Sequence, residues 1–302
     1  MRIGIFSDVH GRLRIVLHLL RNWQMAHMQF LDVALVGGDL GCFPDPAKFD
    51  KATRRWIERD PEEAGFSRYF VTPTQEVKRI FQPEFGEYSA VRCPVLFVPG
   101  NHEDFDHITA ASKSAPAGRS PKDTFPVDCY QRFHCINDGK VVTIGGEDGM
   151  QLRIAGIWGI ENARAHAPYK MNQKSIQRLR DLGSGAFDML LTHDSPAGGH
   201  PLGGSPLITS VLRACSPSLH LFGHVPPVDD RFEVRVPDCL TSSVVLKDVS
   251  FGKEGRDSLH GSFGIIGWDG VEPCLEIVSD DWLHQMRFHN WEQVLPETIS
   301  KS

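Results

Sequence analysis

The sequence predicts an α/β protein, and three observations carry that reading. The chain of 302 residues is long enough for one large domain or two small ones. It opens strand, helix, strand. Five polar clusters then stand in order along it: Asp8-Val9-His10, Gly37-Gly38-Asp39, Gly100-Asn101-His102-Glu103, Thr192-His193-Asp194 and Gly223-His224. Four of them closely follow an apolar run, and Gly223-His224 follows the shorter stretch Leu219–Phe222. Side chains delivered at the ends of several strands converge on one point above a sheet.

Arg2–Phe6 reads as a buried strand, followed by Ser7-Asp8 and a turn at Gly11. Residues 13–28 place Leu13, Val16, Leu17, Leu20 and Met28 at near-helical spacing. Val33–Val36 is the second strand, ending in Gly37-Gly38, so the crossover is right-handed and the pair parallel. Residues 42–93, rich in Pro, aromatic and charged side chains, read as a helical insertion with helices at 51–59 and 74–81. The third strand, 94–98, leads into Gly100-Asn101-His102. Residues 111–126 read as a loop. Residues 141–144 and 152–157 form a hairpin around 145–149. A helix at 175–182 precedes a strand at 187–191, and Leu219–Phe222 leads to His224. Beyond it, 232–236, 244–246, 262–268 and 273–278 read as a second sheet of largely antiparallel pairing. The expected organisation is one domain over 1–280, with the tail from 281 to 302 packed on it.

Hydrophobic residues at 41% and charged residues at 23% are ordinary for a soluble globular protein. A formal net charge of -6 argues against a broad grip on nucleic acid phosphates. The first residues turn polar too soon for a signal peptide, and no apolar run approaches the roughly 20 residues that span a bilayer. Seven cysteines without a CxxC pair argue against a disulfide framework, and the cytoplasm is the expected compartment.

Asp8 and His10 are two apart, so on an extended segment they face the same side. Asp39 follows two glycines that leave room for an ion against the backbone, and one carboxylate there can bridge two cations about 3.5–4 Å apart. Asn101 offers a carbonyl oxygen, and His193 and His224 offer imidazoles. This oxygen-plus-nitrogen set suits Mn²⁺, Fe or Zn²⁺ better than Ca²⁺ or Mg²⁺. Each piece alone is common by chance; their joint order after strands is not.

That order resembles the calcineurin-like metallophosphoesterase superfamily over roughly residues 1 to 230. The resemblance implies a four-layer αββα sandwich with two metals at the sheet edge, hydrolysing phosphodiesters or phosphomonoesters by attack of a metal-activated hydroxide. It implies that Asp8, His10 and Asp39 hold the first metal, and that Asp39, Asn101, His193 and His224 hold the second. His102 resembles the family histidine that contacts the phosphate or protonates the leaving oxygen; a nearby carboxylate such as Glu103 or Asp104 is expected to orient its ring. The segments 85–90, 94–103, 154–160 and 190–196 are similar to lariat debranching enzymes, which act on RNA. That narrower likeness leans the substrate toward diesters, nucleotide or RNA among them; with no apolar run long enough to span a bilayer, no membrane partner is expected.

One position departs from the family pattern. The last block normally carries a second histidine two residues after the first, and here that position is Pro226. The first metal then has an open, weaker site, or a substitute ligand such as Cys42, His220 or His260. The competing reading is a catalytically weak metal-binding or scaffolding protein. Asp194 is expected either to orient His193 or to cap the turn before Pro196. His134 and Cys135 read as buried structural residues, Trp158 as core, residues 198–205 as a mobile loop, and His166, Tyr169 and Lys170 as substrate contacts.

Overall fold

The computed structural model describes residues 1–114, 121–146, 149–252 and 257–297. In chain order the elements are β1 (Arg2–Phe6), α1 (Leu13–His27), β2 (Val33–Val36), α2 (Lys51–Trp56), α3 (Gln75–Ile80), β3 (Val95–Phe97), α4 (Phe105–Ser114), β4 (Thr124–Pro126), β5 (Phe133–Ile136), β6 (Lys140–Gly145), β7 (Gln151–Ile157), α5 (Gln173–Leu182), β8 (Met189–Thr192), α6 (Pro206–Cys215), β9 (Leu219–Phe222), β10 (Glu233–Arg235), β11 (Ser242–Val245), β12 (Gly264–Trp268), β13 (Pro273–Ile277) and α7 (Asp281–Gln285). They build a seven-stranded sheet, β13-β12-β1-β2-β3-β5-β4, and a six-stranded sheet, β10-β11-β9-β8-β7-β6.

Alternation along the strands sets the layers, because successive side chains point to opposite faces. Ile3, Ile5, Val33, Leu35 and Leu96 meet Ile154, Met189, Leu191, Leu221 and Val244 between the sheets. The other face of the first sheet, with Phe6, Ala34, Val36 and Phe97, packs on Val16, Leu17 and Leu20 of α1. The other face of the second, with Ala155, Ile157 and Leu190, packs on α5 and α6 through Ile176, Leu179, Ile208 and Leu212. Helix, sheet, sheet, helix is the expected four-layer sandwich. Each large apolar side chain buried this way contributes about 1.5–3 kcal/mol.

The insertion and the tail both cover α1. Phe66, Phe70, Val77 and Ile80 of the insertion join Trp282, Leu283, Met286 and Trp291 in the core cluster around it. A helix with one apolar stripe leaves its polar face to solvent, yet here Leu13 through Met25 are all buried. The covered polar face therefore finds internal partners: Arg14 pairs with Glu62 at 3.6 Å and with Glu292, and Arg21 donates to the His18 ring at 2.9 Å.

Two expectations need correction, and two elements, α6 and β5, lay outside the sequence reading. The strands after Phe222 do not form a sheet of their own. β11 runs parallel beside β9, β12 runs antiparallel beside β1, and only β10 and β13 add antiparallel edges. The physical reason is burial on both faces: Ile265 serves the α1 core and Ile266 the inter-sheet core. Within 111–126, the start is the end of α4 and the finish is β4, while 115–120 lie outside the described residues. The glycine-rich stretch ends at Ser205, whose side chain accepts from the Ile208 amide and starts α6. Finally β5, absent from the sequence reading, extends the first sheet in parallel beside β3. The hairpin of β6 and β7 forms as expected, with Glu147 and Asp148 of its turn outside the described residues.

Candidate metal centre

The carboxyl ends of β1, β2, β3, β8 and β9 meet across the edges of the two sheets. Ser7 binds them together: its hydroxyl donates to the Phe222 carbonyl at 2.7 Å and accepts from the Leu246 amide at 2.8 Å. The Asp39 carbonyl accepts from the amides of Val9 and His10 at 3.2 and 2.7 Å, which sets the first cluster against the second. His10, Asp39 and His224 all adopt positive φ, at 49°, 43° and 68°. Three non-glycine residues in that disfavoured region at one point are the kind of local strain that clusters at functional sites. Two glycines are needed for close approach: a Cβ at Gly38, itself at φ +107°, would overlap the His193 ring, and one at Gly100 would overlap Asp39.

Asp39 is the hub. Its Oδ1 accepts from the amides of Asn101 and His102 at 2.7 and 2.8 Å. Its Oδ2 stands 3.3 Å from Nε2 of His193 and 3.9 Å from Nε2 of His10. His193 is fully buried; its Nδ1 donates to the Gly37 carbonyl at 3.1 Å, which leaves Nε2 facing Asp39 and, at 3.2 Å, Oδ1 of Asn101. Asp8 accepts from the His224 amide at 3.2 and 3.1 Å and lies 3.9 Å from the His193 ring, whose centroid is 5.0 Å from that of His224. Ligand atoms of Asp8, His10 and Asp39 all lie within 4.8 Å of one another. The five clusters are thus brought together, with His102 beside them, its ring 5.3 Å from that of His10.

Electrostatics point the same way. Burial pushes Asp8 up to about 8, with Asp248 and Asp39 adding to the rise and His193 opposing it. Burial also pushes Asp39 up, but His193, His10 and His102 outweigh it and hold this carboxyl well below the usual range. His193 is raised to about 10: burial works against its charge, and the Asp39 charge and hydrogen bond prevail. Burial lowers His10 and, with help from His193, His224. Two buried carboxylates set against each other and ringed by imidazoles form a site that a divalent cation neutralises. The donor set therefore fits the expected metals, with oxygen and nitrogen ligands and no thiolate.

Other residues are corrected by the structure. Glu103 does not orient His102; its carboxylate accepts from the amides of Leu40 and Cys42 at 2.7 and 2.6 Å. Asp104 instead takes the amides of Asp106 and His107 at the start of α4. The partner of His102 is Asp50, at 2.5 Å from Nδ1. Burial lowers His102, but the hydrogen bond to Asp50 and the charges of Asp39 and Asp50 raise it to about 9. Asp194 accepts from the amides of Ser195 and Glu161 at 2.9 Å each, so it caps the turn, while the Gly37 carbonyl orients His193. His134 and Cys135 are buried and Trp158 packs against the core, as expected.

Beside His10 and His102 opens a cavity of about 220 Å³, lined also by Arg12, Ala52, Thr53, Trp56, Glu63, Asp248, Ser250 and Gly252. His166, Tyr169 and Lys170 do not line it. The insertion thus forms one wall, through Thr53 and Trp56. Asp50 and Trp56 were not singled out from sequence. The signature Asp50-Lys51-Ala52-Thr53 announces a helix cap, but nothing in it names His102.

The calcineurin-like phosphoesterase family matches residues 1–227. With that match over most of its length, the chain belongs to this family of metal-dependent phosphoesterases, hydrolases of phosphate esters. No curated protein matches the chain. Among the described residues no helix is long and apolar enough to cross a membrane.

Proposed function

We propose that the chain hydrolyses phosphodiesters in preference to phosphomonoesters, with two divalent cations of the Mn²⁺, Fe or Zn²⁺ class. Asp8, His10 and Asp39 hold the first; Asp39, Asn101, His193 and His224 hold the second. The observation that carries this reading is the Oδ2 of Asp39, flanked by His193 Nε2 at 3.3 Å and His10 Nε2 at 3.9 Å, one imidazole from each half. Bound cations lower the pKa of water from 15.7 to about 7 and offset charge on phosphoryl oxygens.

The chain supplies the remainder. The amides of Asn101 and His102 hold Oδ1 of Asp39 and leave Oδ2 for ligation. Asp50 holds Nδ1 of His102, so Nε2 is the nitrogen left to meet substrate in the cavity. Burial works against its charge, but the hydrogen bond to Asp50 favours the protonated ring, which donates its proton to the leaving oxygen. Charge supports a diester. Arg12 lines the cavity, but its guanidinium is committed to Asp60 at 2.6 Å and Glu63 at 2.8 Å. A monoester dianion gains little from it, whereas a diester carries one charge fewer. Trp56 offers a half-buried ring to the part of the substrate beyond the phosphate.

Hydrolysis of bis-p-nitrophenyl phosphate and p-nitrophenyl phosphate with added Mn²⁺ tests the proposal. Faster Mn²⁺-dependent turnover of the diester is expected; turnover of the monoester alone overturns the preference. A second reading, a recognition protein with an incomplete first site, rests on Pro226. Metal bound without turnover of either ester favours it.

A further inference from the structure

Pro226 leaves the first cation with one protein ligand fewer than the second, and the three substitutes visible in the sequence are otherwise engaged. Burial raises the Cys42 thiol well above its usual range, with Glu103 adding to the rise. His220 is fully buried, its ring nitrogens 2.8 Å from the Thr192 hydroxyl and 3.2 Å from the Ser243 hydroxyl. His260 stacks on His284, with ring centroids 5.3 Å apart. Pro226 itself is held by its carbonyl, which accepts from His200 at 3.0 Å.

A fourth group stands at the right place. β11 lies parallel to β9 with Val245 opposite Phe222, so the chain leaving Val245 runs beside Gly223-His224. It is pinned there twice, by the Leu246 amide to the Ser7 hydroxyl at 2.8 Å and by the Val249 amide to the Asp8 carbonyl at 2.9 Å. Asp248 sits between these two anchors and lines the cavity with His10 and His102. Its neighbour Lys247 turns away to Asp230 at 2.6 Å. We infer that Asp248 supplies the first cation's additional ligand, a carboxylate oxygen in place of the absent imidazole.

This rests on the metal-centre reading above and adds a residue outside the family match, which ends at 227. Among the described residues the 4.8 Å group comprises Asp8, His10 and Asp39, so Asp248 would reach the ion by rotating its side chain. The consequence is chemical. Three carboxylates and one imidazole make a harder site than two of each, which shifts the first position toward Mn²⁺ and away from Zn²⁺.

The test is Mn²⁺ binding to metal-depleted protein, read by calorimetry and by metal analysis after dialysis. Wild-type protein is expected to bind two ions. Asp248→Asn and Asp248→Ala are expected to keep one and to weaken the other by more than the roughly 10- to 100-fold that follows loss of a group merely hydrogen-bonded to a ligand. Pro226→His in the Asp248→Ala background is expected to restore the second ion. Two ions at wild-type affinity in Asp248→Ala overturn the inference and leave the phosphoesterase reading intact. Wild-type protein that binds no divalent ion overturns both.

Discussion

Oδ2 of Asp50 lies 2.5 Å from Nδ1 of His102, so the insertion, rather than the motif that carries the histidine, orients its ring. The other oxygen of the same carboxylate accepts from the Thr53 amide at 2.8 Å and caps α2. One side chain thus starts the helix that walls the cavity and fixes the imidazole that faces it. In the proposed mechanism, substrate recognition and proton transfer would be coupled through a residue eleven positions beyond Asp39.

Asp50→Asn tests this coupling cleanly, because asparagine caps a helix as well as aspartate does. The variant is expected to fold normally, keep its metal and lose roughly 10- to 100-fold in kcat with little change in KM. Unchanged kcat would mean that the ring needs no carboxylate partner.

His102→Ala is expected to retain both cations while turnover falls by about 10²–10⁴. A series of aryl phosphodiesters checks it, with the deficit growing as the leaving group becomes more basic. Loss of metal would instead make His102 a ligand.

Asp39→Asn is expected to remove metal and turnover together, because its Oδ2 faces imidazoles of both halves. Metal analysis and kinetics on the same preparation read both. Full activity would remove Asp39 from the chemistry.

His220 predicts a pH dependence of stability. Burial pushes this ring down to about 3 from the ordinary 6.5. Below 6.5 the unfolded chain takes up a proton there that the folded chain refuses. The residue's contribution is therefore full above pH 6.5 and drains as pH falls toward 3, by up to about 1.4 kcal/mol per pH unit. Urea unfolding at pH 7 and pH 4.5 should show a smaller acid loss in His220→Gln than in wild type. Equal losses would mean that the ring is protonated in the folded state.

The strand ends were legible because strand and ligand are adjacent in sequence: Arg2–Phe6 announces Asp8, and Leu219–Phe222 announces His224. The four layers were implied by the family resemblance. What escaped was set by distant packing. β12 looks like a strand of a separate sheet until Ile265 and Ile266 are seen to serve different cores. α6 was masked by the glycines before it, although Ser205-Pro206 followed by Ile208, Val211, Leu212 and Cys215 carries a helix start and an apolar face. Asp50 was invisible as a partner of His102 because a separation of 52 positions gives no periodic signal of contact. Glu103, by contrast, looked like the partner through adjacency alone, and its side chain turns to the backbone of Leu40 and Cys42.

The central claim is that side chains from five strand ends surround cations at Asp39. Anomalous diffraction from crystals loaded with Mn²⁺ addresses it most directly. Two peaks about 3.5–4 Å apart are predicted, one against Asp8 and His10, the other against Asn101, His193 and His224, with Asp39 between. Peaks elsewhere, or none at this centre, would contradict the account.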